Sequence, residues 1–230
     1  MGETGSVPDR TIISIPAHPR RAVLLDRDGV LNVDRYVTYR PEQLALIEGA
    51  VEGLSWLQAL GFLLIVVSNQ PAIGRGHCSV GEVERFNRAL CDRLAAHGVV
   101  ITDVFICPHD AVGGVGAYRT ECACRKPRPG MLFAAADRHG LDLAASYMIG
   151  DKMSDVAAGF NAGCRTILVE TGILDDGARY SHVAPDACLP DLPAAARYIA
   201  GQRALEEMHA QGQFVPPFDA ALCADLLARP

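Results

Sequence analysis

RAVLLDRDG, residues 21–29, places an apolar run directly before two carboxylates that stand one residue apart. A run this short, apolar at successive positions, suits a strand buried on both faces, the usual strand of a parallel sheet. FLLIVV (62–67) repeats the pattern and runs into polar Ser68, Asn69 and Gln70. Val99–Ile106, Tyr147–Ile149 and Thr166–Val169 are further strand candidates, and the fourth is followed by Gly150 and Asp151. Between them, Gly49–Leu60, Ser79–Gly98, Pro129–His139 and Asp155–Asn161 carry helical spacing, with Ser79 and Glu82 forming a capping box. Strands alternating with helices predict an α/β fold, a doubly wound, Rossmann-like parallel sheet covered on both faces. In such a sheet the polar residues after each strand gather at the carboxyl edge, where ligands bind.

Length and composition set outer bounds. The chain has 230 residues, half of them apolar and 21% charged, the balance of a globular protein with one sizeable core. The expected division is a tail over 1–20, the main domain over 21–200 and an extension over 201–230. A formal net charge of −6 gives no reason to expect nucleic acid or an anionic membrane as partner. No stretch approaches the roughly 20 apolar residues of a membrane span, and the first 20 residues lack the apolar run of a secretory signal. A cytoplasmic monomer is expected.

The carboxylates carry the first chemistry. Asp26 at a strand end can attack phosphorus, and Asp28 can protonate the leaving oxygen and then activate water. A carboxylate repels a phosphate dianion, so a divalent cation is required. On its own DRDG reads more simply as an Asp-rich turn. The hydroxyl of Ser68 and the backbone beside it can hold phosphoryl oxygens, although polar residues also simply end strands. In RKPRPG (125–130), a Lys can neutralise nucleophile and phosphate together and an Arg can grip a second anionic group; a solvated basic turn is the plainer reading. In GDKMSD (150–155), Asp151 suits magnesium, and Asp155 either orients that site or faces a helix N-terminus.

Cys107, His109, Cys122 and Cys124 form a separate cluster across a Gly-rich segment. Three thiolates and one imidazole complete a tetrahedron with no open position, which favours structural zinc over a redox dithiol or incidental cysteines.

Taken in order, DRDGVLN, SNQ, Lys126 and GDKMSD resemble the four motifs of the haloacid dehalogenase superfamily of aspartate-nucleophile hydrolases. The second Asp matches its phosphatases rather than its dehalogenases. CPHD…CACRKPRPGM, with the zinc loop over 107–124, is similar to the capless subgroup that contains heptose 1,7-bisphosphate 7-phosphatase and the histidinol-phosphate phosphatase domain. SNQPAIGRG and NVDRYV lie nearer the heptose branch. The resemblance implies Asp26 as nucleophile, Asp28 as general acid–base, and magnesium on Asp26, Asp28 and Asp151. It implies Ser68 and Lys126 steadying the phosphoryl group, and Asp34, Tyr36, Asn69, Gln70, Arg125 and Lys152 contacting substrate. The implied substrate is a small phosphorylated sugar, with the 7-phosphate of D-glycero-D-manno-heptose 1,7-bisphosphate ahead of histidinol phosphate or another phosphomonoester. A catalytically silent, zinc-stabilised binding protein is the rival from another class. Val30, Ser68, Pro71-Ala72 and a DRYV loop one residue short depart from the subgroup's usual pattern.

Overall fold

The run that opens the sequence argument becomes the middle of the sheet. The computed structural model describes residues 20–173, 180 and 182–212. In it β1 (Ala22–Leu25) pairs with β2 (Leu63–Asn69) on one side and β4 (Tyr147–Gly150) on the other. With β3 (Ile101–Cys107), β5 (Arg165–Val169) and β6 (Ala187–Leu189), these form a six-stranded parallel sheet in the order β3-β2-β1-β4-β5-β6.

Alternation along the strands divides the core into two layers. Val23, Leu25, Leu64, Val66, Tyr147 and Ile149 face α1 (Ala50–Ala59), α3 (Val80–Ala95) and α6 (Leu192–Ala210), meeting Leu54, Leu57, Leu90 and Ile199. Ala22, Leu24, Ile65, Val67 and Met148 face α4 (Gly130–His139) and α5 (Met153–Ala162), meeting Met131, Leu132, Ala135 and Ala158. All of these residues are buried, and at about 25 cal/mol per Å2 the two apolar layers dominate the stability of the domain. The doubly wound expectation is therefore met. No further domain interrupts the described residues: 26–49 and 108–129 hold only loops, isolated bridges and short 3-10 turns.

Some boundaries differ from the sequence reading for identifiable reasons. Strand β2 runs through Ser68 and Asn69 because their backbones pair with Ile106 and Cys107 of the edge strand. Helix α5 starts at Met153, which puts Asp155 in its first turn, where its carboxylate accepts from the Lys152 backbone N–H at 3.1 Å. A short helix, α2 (Pro71–Gly74), follows β2, with Pro71 at its first position. Helix α6 lacks a legible pattern because its buried residues are mostly consecutive, 192–196, half of the buried set being alanines, and its second half is exposed. It runs through position 200, so no break in secondary structure marks the expected division there. Residues 1–19 of the expected N-terminal tail and the segment from 213 onward lie outside the described residues. Among the described residues, no helix is long and apolar enough to cross a membrane.

Candidate active site

The carboxyl ends of β1, β2 and β4 converge beneath a cleft of about 610 Å3 whose walls include Asp26, Asp28, Gln70, Arg125, Lys126 and Lys152. Asp26 follows β1 and is fixed by its backbone N–H, which donates to Ile149 O at 2.9 Å. Lys126 reaches it from the loop before α4. Its Nζ lies 2.8 Å from Asp26 Oδ1, 2.6 Å from Asp155 Oδ1 and 2.7 Å from Val67 O. An ammonium has three protons, so all three are engaged. Burial alone would lower the Lys126 pKa, but Asp155 and Asp26 outweigh it and hold the ammonium above its usual range. Burial likewise acts to raise Asp26, and the Lys126 charge reverses that and keeps the carboxylate ionised below its usual range.

Asn69 sets Lys126 from behind. Its side-chain amide donates to Lys126 O and accepts from Lys126 N, both at 3.1 Å, a two-point clasp on the backbone of that loop. Gln70 Nε2 donates to Asp28 Oδ2 at 2.9 Å and to Ser68 Oγ at 3.0 Å. The second oxygen of Asp28 accepts from Asn32 Nδ2 at 2.8 Å. Asn69 and Gln70 thus arrange the site, whereas Ser68 is buried beneath the cleft wall.

Asp151, after β4, is wholly buried, and among the described residues neither of its carboxylate oxygens has a hydrogen-bond partner. Lys152 Nζ stands 3.1 Å from Oδ2, an ion-pair contact that leaves both acceptors without a donor in good geometry. Burial, reinforced by the charge of Asp26, pushes Asp151 up to about 7, and burial pushes Asp155 up to about 6 against the pull of Lys126. Asp26, Asp151 and Asp155 offer oxygens that all lie within 4.8 Å of one another. This is the crowding that a divalent cation relieves. The expected trio of Asp26, Asp28 and Asp151 is not the one whose carboxylates converge. The Asp28 carboxylate is drawn away by Asn32, Gln70 and Arg27, and Asp155 takes its place in the cluster.

Two glycines make room for Asp151. A Cβ on Gly29 or Gly172 would fall well inside van der Waals contact of Asp151 Oδ2, and Gly29 also holds a left-handed φ of 87°. Thr171 Oγ1 donates to Gly29 O at 2.6 Å, tying the end of β5 to the first acidic loop. The sequence reading missed this contribution. Its signal is the same rule used elsewhere, since Glu170-Thr171-Gly172 is a polar segment directly after a buried strand.

On the outer side of the cleft, Lys152 Nζ donates to Asp34 Oδ2 at 3.1 Å, and Asp34 Oδ1 accepts from Tyr36 N at 2.7 Å. Tyr36 adopts a φ of 67° and is 85% exposed, so its ring stands at the rim. Pro71 and Ala72 also line the cleft, on the side where the sequence departs from the usual pattern. Arg125 Nη1 donates to His109 O at 2.8 Å, linking this wall to the Cys/His cluster. Within that cluster, Cys124 Sγ lies 3.2 Å from both Cys107 Sγ and Cys122 Sγ, and Cys107 Sγ lies 3.5 Å from Cys122 Sγ. His109 Nδ1 is 3.7 Å from Cys107 Sγ and 3.4 Å from Cys124 Sγ. Thiolates held tetrahedrally at about 2.3 Å from zinc sit about 3.8 Å apart, so the four donors are close to that arrangement.

Comparisons with known proteins agree with this geometry. A family model described as HAD-hydrolase-like matches residues 123–195. The D-glycero-beta-D-manno-heptose-1,7-bisphosphate 7-phosphatase of Pasteurella multocida (strain Pm70) is 38% identical over 177 residues, 76% of this chain and 95% of that protein. The corresponding alpha-heptose enzyme of Burkholderia mallei is 42% identical over 149 residues, 65% of this chain and 79% of that one. A crystal structure of D,D-heptose 1,7-bisphosphate phosphatase from B. bronchiseptica, complexed with magnesium and phosphate, superposes with a TM-score of 0.68 at 29% identity. That match covers 79% of this chain and 99% of the other. With the sheet order, the acidic cluster and this degree of identity together, the chain belongs to the haloacid dehalogenase-like hydrolases, among their phosphoric monoester hydrolases.

Proposed function

We propose that the protein removes the 7-phosphate of D-glycero-D-manno-heptose 1,7-bisphosphate through an aspartyl phosphate on Asp26. The observation that carries this reading is the buried Asp26–Lys126–Asp155 chain on the cleft floor beside Asp28. Asp26 attacks phosphorus, the bond to the sugar oxygen breaks, and Asp28 gives that oxygen a proton. Asp28 then takes a proton from water, the water oxygen bonds to phosphorus, and the bond to Asp26 breaks, freeing phosphate and restoring the carboxylate. Lys126 holds the nucleophile in place; with all three protons engaged, it must release one partner before it can touch a phosphoryl oxygen. Arg125, Lys152, Asp34 and Tyr36 form the substrate side of the cleft, with Arg125 suited to the second phosphate. The names of the relatives at 38–42% identity favour a heptose bisphosphate over histidinol phosphate. Those relatives include both beta- and alpha-heptose enzymes, and phosphate release from the two anomers measured side by side assigns the preference.

The orphaned oxygens of Asp151, with Asp26 beside them, fit magnesium, and Asp155 supports them from α5. When bound, the ion supplies the positive charge that lets a carboxylate approach a phosphate dianion. Gly172→Ala is expected to displace the Asp151 carboxylate and raise the magnesium concentration for half-maximal activity by about tenfold or more. A magnesium titration of phosphate release checks this, and an unchanged midpoint would remove Asp151 from the metal site.

The Cys107, His109, Cys122 and Cys124 cluster fits structural zinc. Its role is to order the loop whose His109 carbonyl holds Arg125. Cys107→Ser is expected to lose one zinc by native mass spectrometry and to lower the thermal midpoint by several degrees or more. Apoprotein that keeps its full fold and activity would contradict the assignment. A cluster of unpaired thiols also suits a reducing compartment, which supports a cytoplasmic location.

Phosphate release from heptose 1,7-bisphosphate and histidinol phosphate, measured side by side with magnesium, tests the substrate. Preference for histidinol phosphate would keep the chemistry and overturn the substrate.

A further inference from the structure

Arg27 lies between the two catalytic carboxylates in sequence, yet its side chain points into the protein and is fully buried. Its guanidinium stacks over the Phe86 ring at 4.5 Å, and Nε has no hydrogen-bond partner among the described residues. The remaining nitrogens reach three separate parts of the fold. Nη1 donates to Asn87 Oδ1 of α3 at 2.9 Å, and Nη2 donates to Thr38 O at 2.8 Å and to Asp28 Oδ2 at 2.7 Å. Asn87 and Thr38 are themselves buried. A desolvated cation is costly to retain, and the planar fork is matched here to partners at fixed directions. Asn32 and Gln70 also bind Asp28, but only Arg27 connects it both to a core helix and to the loop that carries Asp34 and Tyr36.

We propose that Arg27 is a positioning residue for Asp28: anchored by Asn87, Phe86 and the Thr38 carbonyl, it aims the carboxyl that protonates the leaving oxygen. The inference rests on the phosphatase reading above. It carries a consequence that a mere staple for the loop would not. A sugar alkoxide must be protonated as it leaves, whereas 4-nitrophenolate leaves as a stable anion and hardly needs an acid. Misplacing Asp28 therefore harms cleavage of the alkyl ester selectively.

The test compares kcat/KM, which reports phosphoryl transfer to Asp26, for 4-nitrophenyl phosphate and for the wild type's best alkyl phosphate. Arg27→Lys keeps the charge and loses the fork. It is expected to lower kcat/KM for the alkyl ester about tenfold or more beyond any loss with the aryl ester, moving toward the pattern of Asp28→Asn. Asn87→Ala, which removes an anchor remote from the cleft, should show the same selectivity at smaller amplitude. It decides the matter if Arg27→Lys fails to give a cooperative thermal transition. Equal losses on both esters, or none, would overturn the positioning role and leave Arg27 a structural residue. Wild-type protein without Asp26-dependent turnover would instead bring down the phosphatase reading itself, so the two failures are distinguishable.

Discussion

Asp26→Asn is expected to lower kcat by about 10^4-fold or more while leaving the protein at least as stable as the wild type. The loss follows from the chemistry, because an amide oxygen is a poor nucleophile and cannot form the aspartyl phosphate. The stability follows from the charges gathered at the cleft floor. Three carboxylates, Asp26, Asp151 and Asp155, face two ammonium groups, Lys126 and Lys152. Asp26 contributes to raising both other carboxylates, so its replacement by a neutral isostere removes repulsion and leaves Lys126 paired with Asp155. A thermal midpoint in metal-free buffer equal to or above the wild type's, alongside abolished phosphate release, is the expected pair of results. A strongly destabilised variant would show that Asp26 is needed for the fold and would void the inference from lost activity.

Lys126→Met is expected to abolish turnover too, but with the opposite effect on stability. Its ammonium is buried among Asp26, Asp155 and the Val67 carbonyl at 2.6–2.8 Å. Deleting it leaves two buried carboxylates without their counter-charge, a change that costs about 3–5 kcal/mol. Against a total stability of about 5–15 kcal/mol this is a large loss, readable as a lowered urea midpoint in metal-free buffer. Lys126→Arg should not rescue activity, because a planar fork cannot present three donors around one point as an ammonium does. In Asp26→Asn/Lys126→Met the penalty should shrink, since one of the two stranded carboxylates is gone. Equal stability of Lys126→Met and wild type would mean that this buried ion pair contributes nothing net to the folded state.

Much of this architecture was legible because strands buried on both faces announce themselves as apolar runs, and the polar residue after each marks the ligand edge. Asp26 and Asp151 were reached that way, and Lys126 through the compact basic segment RKPRPG. Features that depend on how side chains turn were not legible. The Asp28 carboxylate stands apart from those of Asp26, Asp151 and Asp155 while Asn32, Gln70 and Arg27 hold it, and no spacing rule gives that direction. Ser68 and Asn69 read as loop residues, but their backbones belong to the pairing with β3. Asn69 reads as a substrate contact and does line the cleft, but no spacing rule shows that its amide also clasps the Lys126 backbone from both sides. Helix α6 escaped notice for a different reason. A mostly consecutive buried set, half of it alanines, packed on α1 and β5 buries little apolar surface per residue and produces almost no periodic signal. Gly172 was overlooked because its importance lies in the side chain it lacks.

The central claim is that phosphorus is carried on Asp26 between the two halves of the reaction. Rapid acid quench of the wild-type enzyme with magnesium and heptose bisphosphate labelled in the 7-phosphate, followed by peptide mapping, addresses it most directly. The account predicts label on the peptide that contains Asp26 within the first turnover, removable by hydroxylamine, chased by unlabelled substrate and absent from Asp26→Asn. Labelled phosphate released at full rate, with no time point at which the chain carries label in substrate-saturating conditions and with Asp26→Asn still active, would mean that water attacks phosphorus directly and would contradict it.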